Sequence, residues 1–244
     1  MLLQCALIAK RAVALDALGH RELQSPHEKR THTRRLMMTT DTPQATHLKE
    51  SQLDEAGEVL GRAFFNDPLM EYILPDEDSR AKKLDWFMRA GAKYGQLYGE
   101  VHTTPESVDG AACWLPPGEA DMSMFRMARA GMLMVPFKLG IGAFRRFLNI
   151  NDHMEELHKR DMPEDHWYLM ILGVDSAKQG QGIGGSIIQP ILARADADGL
   201  PCYLETMKER NVVFYEKHGF QVIVEDDLPK GGPHFWTMKR EARG

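Results

Sequence analysis

Cysteine is scarce in this chain: Cys5, Cys113 and Cys202 stand far apart and no C-x-x-C pair occurs. That excludes a disulfide framework and a zinc knuckle, and leaves three inert thiols in a reducing compartment as the expectation. Long apolar runs are missing as well. None reaches the length a membrane-spanning helix needs, so no membrane span is expected. An excess of basic charge is also lacking. The formal net charge is −5, which speaks against a nucleic-acid partner, whose footprint would be basic. The zincin pattern H-E-x-x-H is only approximated by "HMEELHKR": His153 and His158 are five apart and Met154 stands where the glutamate belongs. No metal site is therefore expected. These absences leave a small molecule as the expected partner and the cytoplasm as the expected location.

What is present is the balance of a globular domain. Of 244 residues, 43% are hydrophobic and 27% charged, enough to bury a core without metal or disulfide staples. Residues 1–43 are read as an N-terminal extension outside the fold and are expected to be disordered, because "SPHEKRTHTRR" is polar and basic. Met37 or Met38 would open a more ordinary chain, and a transit segment is the competing reading, weakened by Asp16, Glu22 and Glu28. Residues 44–242 are read as one domain.

Periodicity supplies the elements. Leu53, Ala56, Val59, Leu60 and Ala63 have helical spacing, with Ser51 as the expected N-cap and Pro68 as the expected stop. A second helix is expected over "DEDSRAKKLDWFMRAGAKYGQLY", with Gly91 and Gly95 blurring its end. The segments "EVHTT" and "GAACWLPP" read as short strands. Residues 119–160 form a Met- and Arg-rich insert, expected as a pair of helices packed on the core and a candidate lining for an acceptor site. Thereafter "HWYLMILGV" reads as a strand, and "GIGGSIIQPILARADADG" as a helix stopped by Gly199 and interrupted by Pro190. "PCYLETM" reads as a strand, "NVVFYEKHG" as a helix, and "FQVIVE" and "HFWTMKR" as a closing hairpin. Strand, glycine-rich loop, helix and strand make a right-handed crossover between parallel strands.

The loop "QGQGIGG" carries the chemistry. A helix N-terminus offers unpaired N–H groups and a partial positive charge, and glycine lets a pyrophosphate approach. Gly180, Gly182 and Gly185 spell the dinucleotide fingerprint G-x-G-x-x-G, and Glu205 falls where a ribose-binding acid would stand. Gln179, Gly182 and Gly184 equally spell Q-x-x-G-x-G, a loop that holds coenzyme A. Position decides between them. The dinucleotide loop follows the first strand of a doubly wound sheet, and too little chain remains after residue 179 to complete one.

The order L-G-V, Q-G-x-G-x-G, L-E-T and N-x-x-F-Y-E-x-x-G-F, over roughly residues 166–240, resembles the GNAT superfamily of N-acetyltransferases, and the puromycin N-acetyltransferase-like branch in particular. The resemblance implies an α/β fold: a mixed, splayed central sheet flanked by helices, in a single domain. It implies that Leu172, Gly173 and Val174 bond the pantetheine arm of acetyl-CoA. Gln179, Gly180, Gln181, Gly182, Ile183 and Gly184, with Gly185 and Ser186 behind them, would cradle the pyrophosphate. Asn211 would contact the cofactor arm and Tyr215 would protonate the departing thiolate. Asn211 and Tyr215 are four apart, so a helix puts them on one face.

An attacking amine must lose a proton, so a base or a proton-conducting water chain is required. Glu205 and His166 are the candidates, with His102 a distant third. Cys202 has no histidine placed to activate it, which favours direct transfer in a ternary complex over a covalent intermediate. The expected function is acetyl-CoA-dependent N-acetylation of a small-molecule amine, with a homodimer as the candidate assembly. A catalytically silent coenzyme A-binding module is the second reading and an NAD-dependent oxidoreductase the third.

Overall fold

A computed structural model describes residues 44–120 and 123–243. The expectations for residues 1–43 lie outside the described residues. Among the described residues, seven strands form one sheet in the order β1-β2-β3-β4-β5-β7-β6. They are β1 (Thr46–His47), β2 (Glu100–Thr103), β3 (Gly110–Leu115), β4 (Trp167–Val174), β5 (Cys202–Thr206), β6 (Gln221–Asp227) and β7 (His234–Arg240). All neighbours are antiparallel except β4 and β5. The closing hairpin is present, but β7 inserts between β5 and β6.

The mixed, splayed α/β sheet expected from the sequence is what the chain forms. β4 and β5 pair only at Trp167 with Cys202 and Tyr168 with Tyr203, after which the strands part. The cause lies partly in β4. Against β3, Trp114 faces Leu169 and Cys113 faces Ile171, so Met170 is an extra residue in the register. Such a bulge bends its strand and sharpens its twist.

Both faces of the sheet are covered. β3 is buried throughout, with Ala111, Cys113 and Leu115 in one core and Ala112 and Trp114 in the other. The first face carries α1 (Leu53–Phe64), α2 (Pro68–Ile73) and α3 (Glu77–Tyr98). Leu53, Ala56, Val59 and Leu60 are the buried stripe of α1, as their spacing predicts. Two boundary expectations are corrected. A short 3₁₀ turn, Glu50–Gln52, absorbs Ser51, and Gln52 rather than Ser51 occupies the N-cap. Pro68 does not end a segment but opens α2, where its missing N–H costs nothing, and the Asp67 carboxylate accepts from Leu69 N at 3.1 Å. α3 runs unbroken through Gly91, where a Cβ would lie 2.7 Å from Ile171 Cδ1; the glycine is an approach point to the sheet.

The insert is not a pair of helices. It comprises α4 (Met124–Arg129), a 3₁₀ turn (Met132–Met134), α5 (Val135–Leu139) and the long α6 (Ile141–Asp161). Gly131 and Gly140, both with positive φ, divide it. The opposite face carries α7 (Ile183–Asp198) and α8 (Glu209–Lys217). α7 ends at a left-handed Gly199, as expected, but its helical assignment runs unbroken through Pro190, where an interruption was expected.

Candidate active site

The splay between β4 and β5 opens a cleft of about 400 Å³. One wall is the last part of β4 (Leu172, Gly173, Val174), and the floor is the loop into α7. The opposite wall is α8, through Asn211, Phe214 and Tyr215. Local bonds shape the loop. Asp175 accepts from Ala177 N at 3.0 Å and from Arg62 Nη2 at 2.7 Å, tying the loop to α1. Gln179 Nε2 donates to Val174 O at 3.1 Å, so its side chain braces the turn. Gly180 and Gly182 have φ of 79° and 81°, a region that suits glycine, and Gly182 is the N-cap of α7. The first-turn N–H groups of α7 therefore face the cleft without intrahelical partners.

Gln179, Gly180, Gly182, Ile183, Gly184, Gly185 and Asn211 all line this cleft. Gln181 and Ser186 do not, and Ser186 Oγ donates to Ile183 O at 2.8 Å within its helix. Gly185 also serves packing: a Cβ there would lie 2.9 Å from His218 Nε2 on the turn after α8. Three basic residues that sequence reasoning missed, Lys178, Lys208 and Arg210, border the same space and make it attractive to phosphate. Their proximity to the glycine loop and to the start of α8 was the available signal.

Behind the cleft lies a chamber of about 210 Å³. The two spaces share Phe64, Asp67, Leu172, Asn211 and Tyr215. Tyr215 is 6% exposed, and burial, with the Asp67 charge adding to it, raises its phenol well above the usual range. Asn211 sits in the first turn of α8 and donates to Thr206 Oγ1 at 3.0 Å, while Lys208 occupies the N-cap. Asp67 lies 3.4 Å from Lys208 Nζ; burial raises its carboxyl and Lys208 opposes the rise.

Of the three base candidates, only Glu205 faces the chamber. Its Oε2 accepts from Tyr168 OH at 2.8 Å, and His158 Nδ1 is 4.0 Å from Oε1. Burial pushes its carboxyl up to about 7, against the lowering pull of the Tyr168 hydrogen bond. A carboxylate poised there can accept a proton near neutral pH. His166 borders neither space and bonds to His158 and to the Glu164 carbonyl. His102 lies on β2, where burial and the nearby His47 hold it down to about 4. His47, Glu100 and His102 bring one donor atom each within 4.8 Å, a grouping from two strands that linear spacing could not reveal. Cys202 is fully buried and its thiol is pushed up to about 12, the wrong direction for a nucleophile.

The model of the acetyltransferase (GNAT) domain matches residues 146–222, which span the end of the insert, β4, the loop, α7, β5 and α8. An uncharacterized N-acetyltransferase of Schizosaccharomyces pombe is 30% identical over 183 residues, 72% of this chain and 73% of that protein. The chain belongs to the GNAT acetyltransferase family. Among solved structures, an acetyltransferase of Corynebacterium glutamicum described as histone acetyltransferase HPA2 and related has a similar fold. It is 19% identical with a TM-score of 0.58, over 83% of this chain and 98% of that one. Arylalkylamine N-acetyltransferase 2 of Aedes aegypti is 14% identical with a TM-score of 0.57, over 83% and 100%. Members of this family transfer acetyl groups to amines. The GNAT sheet also disposes of the dinucleotide reading. A doubly wound fold needs successive parallel strands, and among the described residues β4 and β5 are the one parallel pair. No helix among the described residues is long and apolar enough to cross a membrane.

Proposed function

We propose that this GNAT chain binds acetyl-CoA in the cleft and transfers the acetyl group directly to a small primary amine with an apolar body held in the chamber. The observation that carries the reading is the shared wall. Leu172, Asn211 and Tyr215 border both spaces, so a thioester at the end of the cleft and an amine at the end of the chamber meet there. The first turn of α7 with Lys178, Lys208 and Arg210 suits the pyrophosphate and phosphates. Leu172 and Val174, on the unpaired part of β4, offer backbone groups to the pantetheine arm.

Glu205 takes the amine proton, Tyr215 protonates the leaving thiolate, and no covalent enzyme intermediate forms. The chamber sets the acceptor class. Methionines 70, 88, 132, 154, 170 and 207 line it, and its ionisable carboxyls among the described residues are Asp67 and Glu205. Among the described residues, no lysine or arginine borders it. One ammonium head is accommodated, and adaptable thioether walls accept the rest. A cavity of about 150 Å³ holds one benzene ring, so 210 Å³ fits a ring with a short linker or a short alkyl chain. The puromycin-like order of motifs adds puromycin to the acceptor panel, and the chamber volume favours a smaller amine.

A thiol-release assay with acetyl-CoA across alkylamines, phenylalkylamines, diamines, amino acid amides and puromycin tests this. Fastest release with the apolar monoamines is expected. Preference for diamines would overturn the acceptor class. Coenzyme A binding without amine-dependent release would favour the silent module.

A further inference from the structure

Glu205 is not the end of the polar path on this side of the chamber. His158, from α6, places Nδ1 4.0 Å from Glu205 Oε1 and Nε2 2.7 Å from His166 Nε2. His166 Nδ1 lies 2.6 Å from the Glu164 carbonyl oxygen. A carbonyl only accepts, so the hydrogen sits on His166 Nδ1. In the neutral ring this makes His166 Nε2 an acceptor, which puts a hydrogen on His158 Nε2 and, in a neutral His158, turns the Nδ1 lone pair toward Glu205. The tautomers thus give the path a direction, from the base outward.

The rings are held in place. His158 stacks on Tyr203 at 4.3 Å and 21° and lies 4.6 Å from the Tyr168 ring. Their far side opens on a third cavity of about 340 Å³, bordered by both histidines and by Glu155, Lys159, Glu164 and Asp165. Lys239 Nζ, on β7, bonds Glu164 Oε1 at 2.6 Å. None of these cavity residues borders the cleft or the chamber.

We infer that His158 and His166 form a relay that carries the acceptor amine's proton from Glu205 to solvent at this separate cavity. The inference rests on Glu205 being the base. As the amine nitrogen bonds to the thioester carbon, its N–H bond breaks and the proton joins a Glu205 oxygen. A small side-chain shift closes the 4.0 Å gap, and the carboxylic acid passes the proton to His158 Nδ1, restoring the carboxylate. The hydrogen on His158 Nε2 then moves to His166 Nε2, and His166 releases one to water in the outer cavity. Exchange with that water returns each ring to its starting tautomer. One proton leaves the amine, one enters solvent, and no oxidant or reductant is involved. The arrangement empties the base without opening the chamber.

The test uses the full chain with acetyl-CoA and a saturating amine. His158→Gln and His166→Gln are each expected to lower kcat on the order of tenfold, less than the roughly 10²–10⁴-fold cost of losing the base itself. Coenzyme A affinity and Tm should stay unchanged, and added imidazole should restore turnover. Unchanged kcat and pH profile in both variants would overturn the relay, as would losses that imidazole leaves in place. Glu205→Gln separates the two readings. An inactive Glu205→Gln beside a fully active His158→Gln removes the relay alone, whereas an active Glu205→Gln removes base and relay together.

Discussion

Tyr215 borders both spaces while its hydroxyl has no hydrogen-bond partner among the described residues, leaving it available to the sulfur. Its raised phenol stays protonated across any working pH, which suits an acid. Tyr215→Phe should lower kcat by on the order of 10²-fold in single-turnover assays, with coenzyme A affinity unchanged. Glu205 makes the second prediction at this scale. As the proposed base its carboxyl would work only when ionised, so kcat/KM should rise with pH through about 7, and Glu205→Gln should abolish that limb. Stability runs the opposite way. The folded pKa of about 7 exceeds the ordinary glutamate value of 4.5, so the folded protein binds the extra proton between those values. The site's stability is complete below the unfolded pKa and is lost as pH rises through 7. Glu205→Gln should therefore stabilise the fold more at pH 8 than at pH 5, by about 3 kcal/mol at most. Paired denaturation curves at the two pH values check the sign.

Among the elements, α7 offers a matched pair of glycines. Gly182 and Gly199 cap its two ends with φ of 81° and 69°, and a Cβ at either would meet no neighbouring atom within 4 Å. Alanine at each should cost a similar amount, about 1–2 kcal/mol, for the left-handed backbone alone. Gly182→Ala should also weaken coenzyme A binding, and Gly199→Ala should leave it intact; calorimetric titration of both variants separates cap strain from cofactor contact. This helix was legible in the sequence because its signals are local: a glycine loop, a buried isoleucine stripe and a closing glycine. So was α8, which brings Asn211 and Tyr215 to one wall. The insert was not, since Gly131 and Gly140 divide a methionine-rich run whose periodicity reads continuously. Pro68 misled for a related reason: proline stops one helix and starts another with equal ease.

At the scale of the molecule, the site depends on pairings that no linear pattern encodes. The splay follows from the extra Met170 in β4, and the chamber from α1, α2, α3 and α6 closing around it. The motif order was enough to locate the cleft, whereas the chamber's walls come from segments as distant as Phe64 and Met207. His158 shows the same limit. In sequence it looks like half of a failed metal motif, and in the fold it stands between Glu205 and His166. Lys178, Lys208 and Arg210 give the cleft a positive lining within a chain of net charge −5. Replacing Lys208 and Arg210 together by glutamine should weaken coenzyme A binding at low salt, with the difference from the unaltered chain shrinking as ionic strength rises. Binding titrations across a salt series read this directly. Direct transfer requires cofactor and amine to occupy adjoining spaces at once. Initial rates of thiol release, measured over a matrix of acetyl-CoA and an apolar monoamine, test it most directly. Intersecting double-reciprocal lines are predicted; parallel lines, or release that ignores the amine, would contradict it.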